Sequence, residues 1–219
     1  MENSGVLNSY LNIPPSLLKK GLDWYEKPEL WEGLKTGLIV AGLNHAAHLV
    51  QQILRKVTIE ITDEITGSTT LRGYPYNSGD YEVPTYRMTV SGTDMWGDYD
   101  AADYDVVRFG IKDSGSGASV VGLAAGKYKV SAFYANKITS QGAFHIKGKY
   151  FIHVGSVNKQ SNFDGNNGCI AILGRANYDR FKIQLFSLSG GSNIYQIARS
   201  GVVNININAV AFPPLKKIK

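Results

Sequence analysis

The sequence predicts an α+β chain: an N-terminal helical region, residues 1–56, containing one long helix, then a mainly antiparallel β-rich domain, residues 57–219. Two observations carry this. The apolar period is close to 3.6 residues before Val57 and 2 after it. Glycine, tyrosine, threonine and asparagine become common beyond the same point, the mix that turns and half-buried strands need.

Taken in order, Pro14-Pro15 precede a short helical piece over residues 16–25. Pro28 suits a first helical turn, and Leu30, Leu34, Leu38, Leu43, Ala46, Ala47, Val50, Ile53 and Leu54 then recur mostly at three- and four-residue steps, one helix face. Thr58 to Thr62 alternates as a strand, and Asp63 to Gly67 reads as the turn after it. Further strands are predicted over 85–91, 106–112, 127–134, 149–154, 169–173, 181–188 and 202–210. In the last, Asn204, Asn206 and Asn208 alternate with Val203, Ile205 and Ile207, a strand wet on one face. Residues 91–104 and 113–119 read as polar loops. Strands spaced by turn signals, with no helical pattern between them, predict an antiparallel sandwich or barrel.

Composition bounds the function. A chain of 219 residues that is 43% hydrophobic and 19% charged can bury a sizeable core and is neither disordered nor a coiled coil. One cysteine cannot pair within its own chain, so Cys169 is either a small hydrophobe or a reactive thiol. The net charge of +5 suits an anionic surface such as a bacterial wall, but the basic residues are scattered apart from Lys216, Lys217 and Lys219, and no nucleic-acid footprint emerges. Charged residues from Glu2 to Glu29 exclude a standard secretory signal. Residues 37–50 are too short and too polar for a transmembrane segment.

One constellation carries chemistry. Lys149 to Val154 reads as a strand with Phe151 and His153 on one face and Tyr150 and Ile152 on the other. A polar loop, GSVNKQSNFDGNN, leads to a second apolar run, Gly168 to Gly174. If the two runs are neighbouring strands, His153 lies beside Cys169, sixteen residues later, as a base beside its thiol. Gly168 would let substrate approach the backbone, and the amides of Cys169 and its neighbours would receive an oxyanion. The plainer readings stand beside these. A cysteine followed by Ile-Ala-Ile-Leu is, taken alone, most often a buried strand residue. His145 reads as a structural or pocket-rim residue on a neighbouring strand. His45 and His48 read as packing or solvent-facing rather than metal-binding, and Asp164 as a turn residue before Gly165. SGSGAS reads as a flexible loop, lacking the Lys-Ser/Thr of a phosphate loop. Tyr74, Tyr76 and Tyr81 with Pro75 would stack on carbohydrate or peptide, or pack at an edge.

The run FIHVG, a polar loop and NNGCIAI resembles the catalytic signature of the L,D-transpeptidase (YkuD-like) family, in which a His-containing strand precedes a Ser-x-Gly-Cys segment by a comparable distance. Leu123 to Val130 resembles that family's Pro-x-Gly-x-Tyr strand. The pattern is closer still to small phage- and secretion-associated relatives with an Ile-His-x-Gly, acidic-loop, Gly-Cys-Ile arrangement. The resemblance covers about residues 85–190. It implies an L,D-transpeptidase-like domain with Cys169 as nucleophile, His153 as base, and Gly155 in the loop that orients His153 through a backbone carbonyl. Gly168, Ile170, Asn167, Asn166 and His145 would then surround the oxyanion and the substrate. Asn166 stands where the family has Ser, Asn167 where a second His is frequent, and Ala171 where an Arg or Asn is expected; Arg175 is the substitute for that Arg.

The implied function is acyl transfer or hydrolysis at peptidoglycan stem peptides through a Cys169 thioester, of L,D-transpeptidase or L,D-carboxypeptidase type, without metal or organic cofactor. With no Sec leader, the expected route is cytoplasmic synthesis and non-Sec delivery to the periplasm or cell wall, as a type VI secretion effector or a phage lysis protein. An immunity protein and a secretion component would be its partners. The alternative is a non-catalytic β-rich binding or structural module of a phage tail or secretion apparatus, with Cys169 as packing.

Overall fold

The computed structural model describes residues 56–76, 79–94, 98–136, 138–155, 167–191 and 193–218. The helices expected before Val57, with His45 and His48, lie outside them. The α+β, mainly antiparallel expectation is overturned: the described chain is mostly β, and its large sheet is mixed. In chain order the strands are β1 (Val57–Arg72), β2 (Tyr74–Pro75), β3 (Asp80–Thr93), β4 (Tyr99–Val107), β5 (Phe109–Asp113), β6 (Ala118–Gly122), β7 (Gly126–Lys129), β8 (Ala132–Tyr134), β9 (Ala143–Lys147), β10 (Tyr150–Gly155) and β11 (Ile170–Leu173). Helices α1 (Arg175–Ser189) and α2 (Ile194–Arg199) follow, then β12 (Val203–Ile207) and β13 (Lys216–Lys217).

The large sheet runs β7-β12-β1-β3-β4-β11-β10-β9-β8, with β13 added to β3. Two neighbouring pairs, β1/β12 and β10/β11, are parallel. Its two ends, β7 and β8, are separated in sequence only by Val130 and Ser131. The Val130 N–H donates to the Val203 carbonyl at 3.1 Å, and the Ser131 N–H to the His145 carbonyl at 3.0 Å. One stretch, residues 126–134, therefore bonds to both edges and closes the sheet into a barrel, leaving no long open edge.

Alternation sends Val57, Ile59, Ile61, Tyr86, Met88, Val90, Tyr104, Val106, Ile152, Ile170, Ile172, Val203, Ile205 and Ile207 into one core, and α1 contributes Tyr178, Phe181, Leu185 and Leu188 to it. The strand expected over 181–188 is thus part of α1. Phe181, Ile183 and Leu185 alternate, but the buried set recurs at helical steps, and Ile183 is 70% exposed. Polar groups also fix the helix: Tyr178 Oη donates to the Gly142 carbonyl at 3.0 Å, and Tyr104 Oη to Gln184 Oε1 at 2.9 Å.

The turn expected at Asp63 to Gly67 lies inside β1, where the β1/β3 register shifts between Ile61 and Ile65 and again between Ile65 and Gly67. These are bulges, and they leave turn-type residues within a strand. Arg87 of β3 covers them, its guanidinium 2.8 Å from Glu64 Oε1. The loop expected over 91–104 is shorter, because β3 runs to Thr93 and β4 begins at Tyr99.

The single strand expected over 106–112 is broken at Arg108, whose buried guanidinium donates to the Asn208 carbonyl at 3.0 Å and lies 5.1 Å from the Phe109 ring centre. Beyond this break β5 joins a separate sheet, β2-β5-β6. A second core, Leu71, Tyr81, Val83, Val107, Ile111 and Ala171, unites the far half of the β1/β3 hairpin and this small sheet with the outer face of the barrel.

Candidate active site

The parallel pairing of β10 and β11 sets Ile152 opposite Ile170, His153 opposite Ala171 and Gly155 opposite Leu173. Ile152 and Ile170 point into the barrel, so Phe151, His153 and Ala171 point outward. Cys169, the residue before β11, continues that outward set beside Phe151, with which it shares a buried cluster that includes Ala143. Cys169 and His153 are therefore diagonal neighbours on one face. Strand spacing and rise put their Cα atoms about 8 Å apart, within reach of long or aromatic side chains. Antiparallel β9 extends both rows, with His145 opposite Phe151 and Ala143 opposite His153.

Both groups are nearly sealed from water, His153 at 2% and Cys169 at 6% exposure. His153 Nδ1 lies 2.8 Å from the Val154 carbonyl; a carbonyl only accepts, so Nδ1 carries the proton and Nε2 of the neutral ring holds the lone pair. Burial pushes the imidazole down to about 4, against the opposing pull of that hydrogen bond. Burial also pushes the Cys169 thiol up, while a backbone hydrogen bond at Phe151 and the Lys149 ammonium pull it down. The thiol donates to the Lys149 carbonyl at 3.7 Å. Both groups are neutral at rest, so the imidazole would act as a proton acceptor during reaction rather than as the partner of a standing thiolate.

The remaining expected residues divide. Gly168 has φ +89° and is packed so tightly that an added Cβ would stand 2.9 Å from Gly122 Cα, which docks the small sheet against the start of β11. Asn167 has its Oδ1 buried, with no hydrogen-bond partner among the described residues. Ile170 spends its side chain in the barrel core, leaving only its backbone to the outer face. Asn166 lies outside the described residues. His145 is held at both nitrogens: Nε2 donates to the Gly148 carbonyl at 2.9 Å, and Nδ1 accepts from Ser131 Oγ at 2.6 Å.

Gly155 ends β10 rather than lying in a loop, and the backbone carbonyl at His153 Nδ1 is that of Val154, the residue before Gly155. Gly155 serves close packing instead, since a Cβ there would stand 3.1 Å from that of Ala171. Arg175 opens α1 beyond the far end of β11, its side chain 75% exposed and 3.8 Å from Asp179, so it is not brought to Cys169. Ala171 is fully buried against the second core, which explains why no arginine stands there.

Sequence reasoning missed Lys149, whose carbonyl and ammonium both act on the thiol, and Tyr134, whose ring centre lies 6.1 Å from that of Phe151 and 6.2 Å from that of His145. The Lys147-Gly148-Lys149 turn between β9 and β10 was the available signal for the first. Among the described residues no three His, Cys, Asp or Glu side chains converge to hold a metal, and no helix is long and apolar enough to cross a membrane. Comparison with protein-family models, with curated proteins and with solved structures finds no match to this chain. The resemblance to the L,D-transpeptidase family thus rests on the motif residues.

Proposed function

We propose that the chain is a cysteine-dependent acyltransferase or hydrolase of peptidoglycan stem peptides, of L,D-transpeptidase or L,D-carboxypeptidase type. What supports this reading is the placement of Cys169 and His153 as diagonal neighbours on one face of adjacent strands, with His153 in the base-competent tautomer. His153 Nε2 would take the Sγ proton as sulfur attacks the donor carbonyl carbon and its oxygen becomes an oxyanion. Collapse re-forms the carbonyl and breaks the C–N bond, and the imidazolium gives its proton to the leaving amine. Water or an acceptor amine then attacks the Cys169 thioester, losing a proton to His153, which returns it to sulfur. Water gives the carboxypeptidase outcome, and an amine gives a cross-link. Asn167 Oδ1 offers an acceptor for a donor N–H.

In this reading the protein acts in the periplasm or at the wall, as a type VI secretion effector with an immunity partner or as a phage lysis protein. Its net charge of +5 suits that anionic surface.

A second reading, a non-catalytic module of a phage tail or secretion apparatus, is favoured by the burial of Cys169 with Ala143 and Phe151 and by the raised thiol pKa. Native-state carboxamidomethylation separates the two. The enzyme reading expects Cys169 to react with iodoacetamide in the folded chain and the rate to collapse in His153→Ala. A thiol that stays inert until denaturation selects the packing reading.

A further inference from the structure

A hydroxyl–imidazole pair stands where the barrel closes. Ser131 lies between β7 and β8, and its N–H donates to the His145 carbonyl, so main-chain bonding sets the serine beside β9. From there Ser131 Oγ lies 2.6 Å from His145 Nδ1, while its contact with the His145 carbonyl is longer, at 3.4 Å. On the far side of the ring, Nε2 lies 2.9 Å from the Gly148 carbonyl. A carbonyl only accepts, so Nε2 carries the proton, Nδ1 holds the lone pair, and the serine hydroxyl donates to it. Gly148 has φ +56°, a conformation glycine adopts freely, and its carbonyl turns back to the imidazole three residues earlier.

Hydroxyl, imidazole and an acceptor behind the imidazole stand in the order that general-base activation of a serine requires. The Gly148 carbonyl fixes the tautomer and the ring, and it stabilises the imidazolium that proton transfer creates. As a neutral group it does this less strongly than a carboxylate would. Ser131 is exposed, whereas Cys169 is nearly sealed from water. The ring of Tyr134, 44% exposed, has its centre 6.2 Å from that of the imidazole and stands at 88° to it, an apolar wall beside the pair.

We propose that Ser131 and His145 form a second nucleophilic centre, a dyad that hydrolyses carboxylic esters of good leaving alcohols, with Tyr134 against the apolar part of the substrate. Esters of this kind are the class that a base backed by a neutral carbonyl can serve. Ser131 Oγ attacks the ester carbonyl carbon as its proton passes to His145 Nδ1; the C–O bond to the alcohol breaks, and the alcohol leaves with that proton. Water then attacks the acyl-serine and gives a proton to Nδ1; the acyl–Oγ bond breaks, Oγ takes the proton back, and the carboxylic acid departs. No step uses Cys169, so the dyad stands whether or not that thiol reacts.

The test treats the full chain with an alkyl fluorophosphonate, whose phosphorus bonds to an activated serine with loss of fluoride. Trypsin cleavage after Lys129 and Lys137 then releases residues 130–137, which hold one serine, Ser131, and one tyrosine, Tyr134. The adduct should sit on Ser131 and form about a hundredfold faster in the folded chain than in urea, the scale of a general base. Hydrolysis of p-nitrophenyl butyrate should fall by a similar factor, about a hundredfold, in Ser131→Ala and in His145→Gln. No adduct on Ser131 in the folded chain, an adduct on Tyr134 instead, or equal rates in folded and denatured wild type overturns the proposal without recourse to a variant. Ester hydrolysis that is absent from wild type, or unchanged in Ser131→Ala, overturns it as well.

Discussion

At the scale of single residues, the neutral state of His153 is what the burial of the site imposes, and it has consequences for stability. The folded-state pKa, about 4, lies below the ordinary 6.5, so unfolding at mildly acidic pH takes up a proton. This contribution is fully present above pH 6.5 and is lost as pH falls toward 4; the gap corresponds to about 3 kcal/mol. Denaturant titrations should show stability falling across that window, and His153→Gln should flatten the fall. The same variant should slow Cys169 alkylation about a hundredfold at neutral pH, the scale of a lost general base. Because burial raises the thiol above its ordinary 9.0, the wild-type alkylation rate should still be climbing at that pH. Gly168→Ala meets both a φ of +89° and the Gly122 backbone, and should cost about 1–3 kcal/mol while displacing Cys169. That His153 and Cys169 share one face was legible in the sequence because side chains on a strand alternate; the parallel register, which sets Ala171 opposite His153 and Cys169 beside Phe151, was not. The tautomer was not, since it depends on the Val154 carbonyl, and neither was the burial that keeps both groups uncharged.

At the scale of elements, strands β10, β11 and β12 were legible because Phe151/His153, Ile170/Ile172 and Asn204/Asn206 keep a strict period of two. Helix α1 was not, because Phe181, Ile183 and Leu185 mimic that period over a few residues. The two assignments differ in what they bury. Phe181→Ala should cost about 3–5 kcal/mol in chemical denaturation, whereas Ile183→Ala, at a position 70% exposed, should change stability by less than about 0.5 kcal/mol. Equal costs at the two sites would restore the strand. The bulged segment of β1 was hidden for another reason: Asp63, Glu64 and Gly67 are turn formers, and only their pairing with β3, with Arg87 covering Glu64, keeps them in the sheet.

At the scale of the whole molecule, a barrel or sandwich could be expected from strands separated by turns, but the parallel pairs and the closure could not. β1 meets β12 across most of the described chain, and nothing local to Val57 or Val203 specifies that partner. Closure depends on residues 126–134 bonding to both edges through the Val130 and Ser131 amides. Those two amides should therefore exchange with solvent as slowly as amides of the central strands β1 and β3. Fast exchange there would mean an open sheet.

The central claim is that this barrel carries a thiol–imidazole pair which breaks and re-forms amide bonds in peptidoglycan stems. The most direct test is the muropeptide profile of purified sacculi incubated with the wild-type chain and with Cys169→Ala. Stems shortened by a terminal residue, or newly cross-linked, with wild type and unchanged with the variant are the predicted result. Identical profiles from the two proteins would contradict the account.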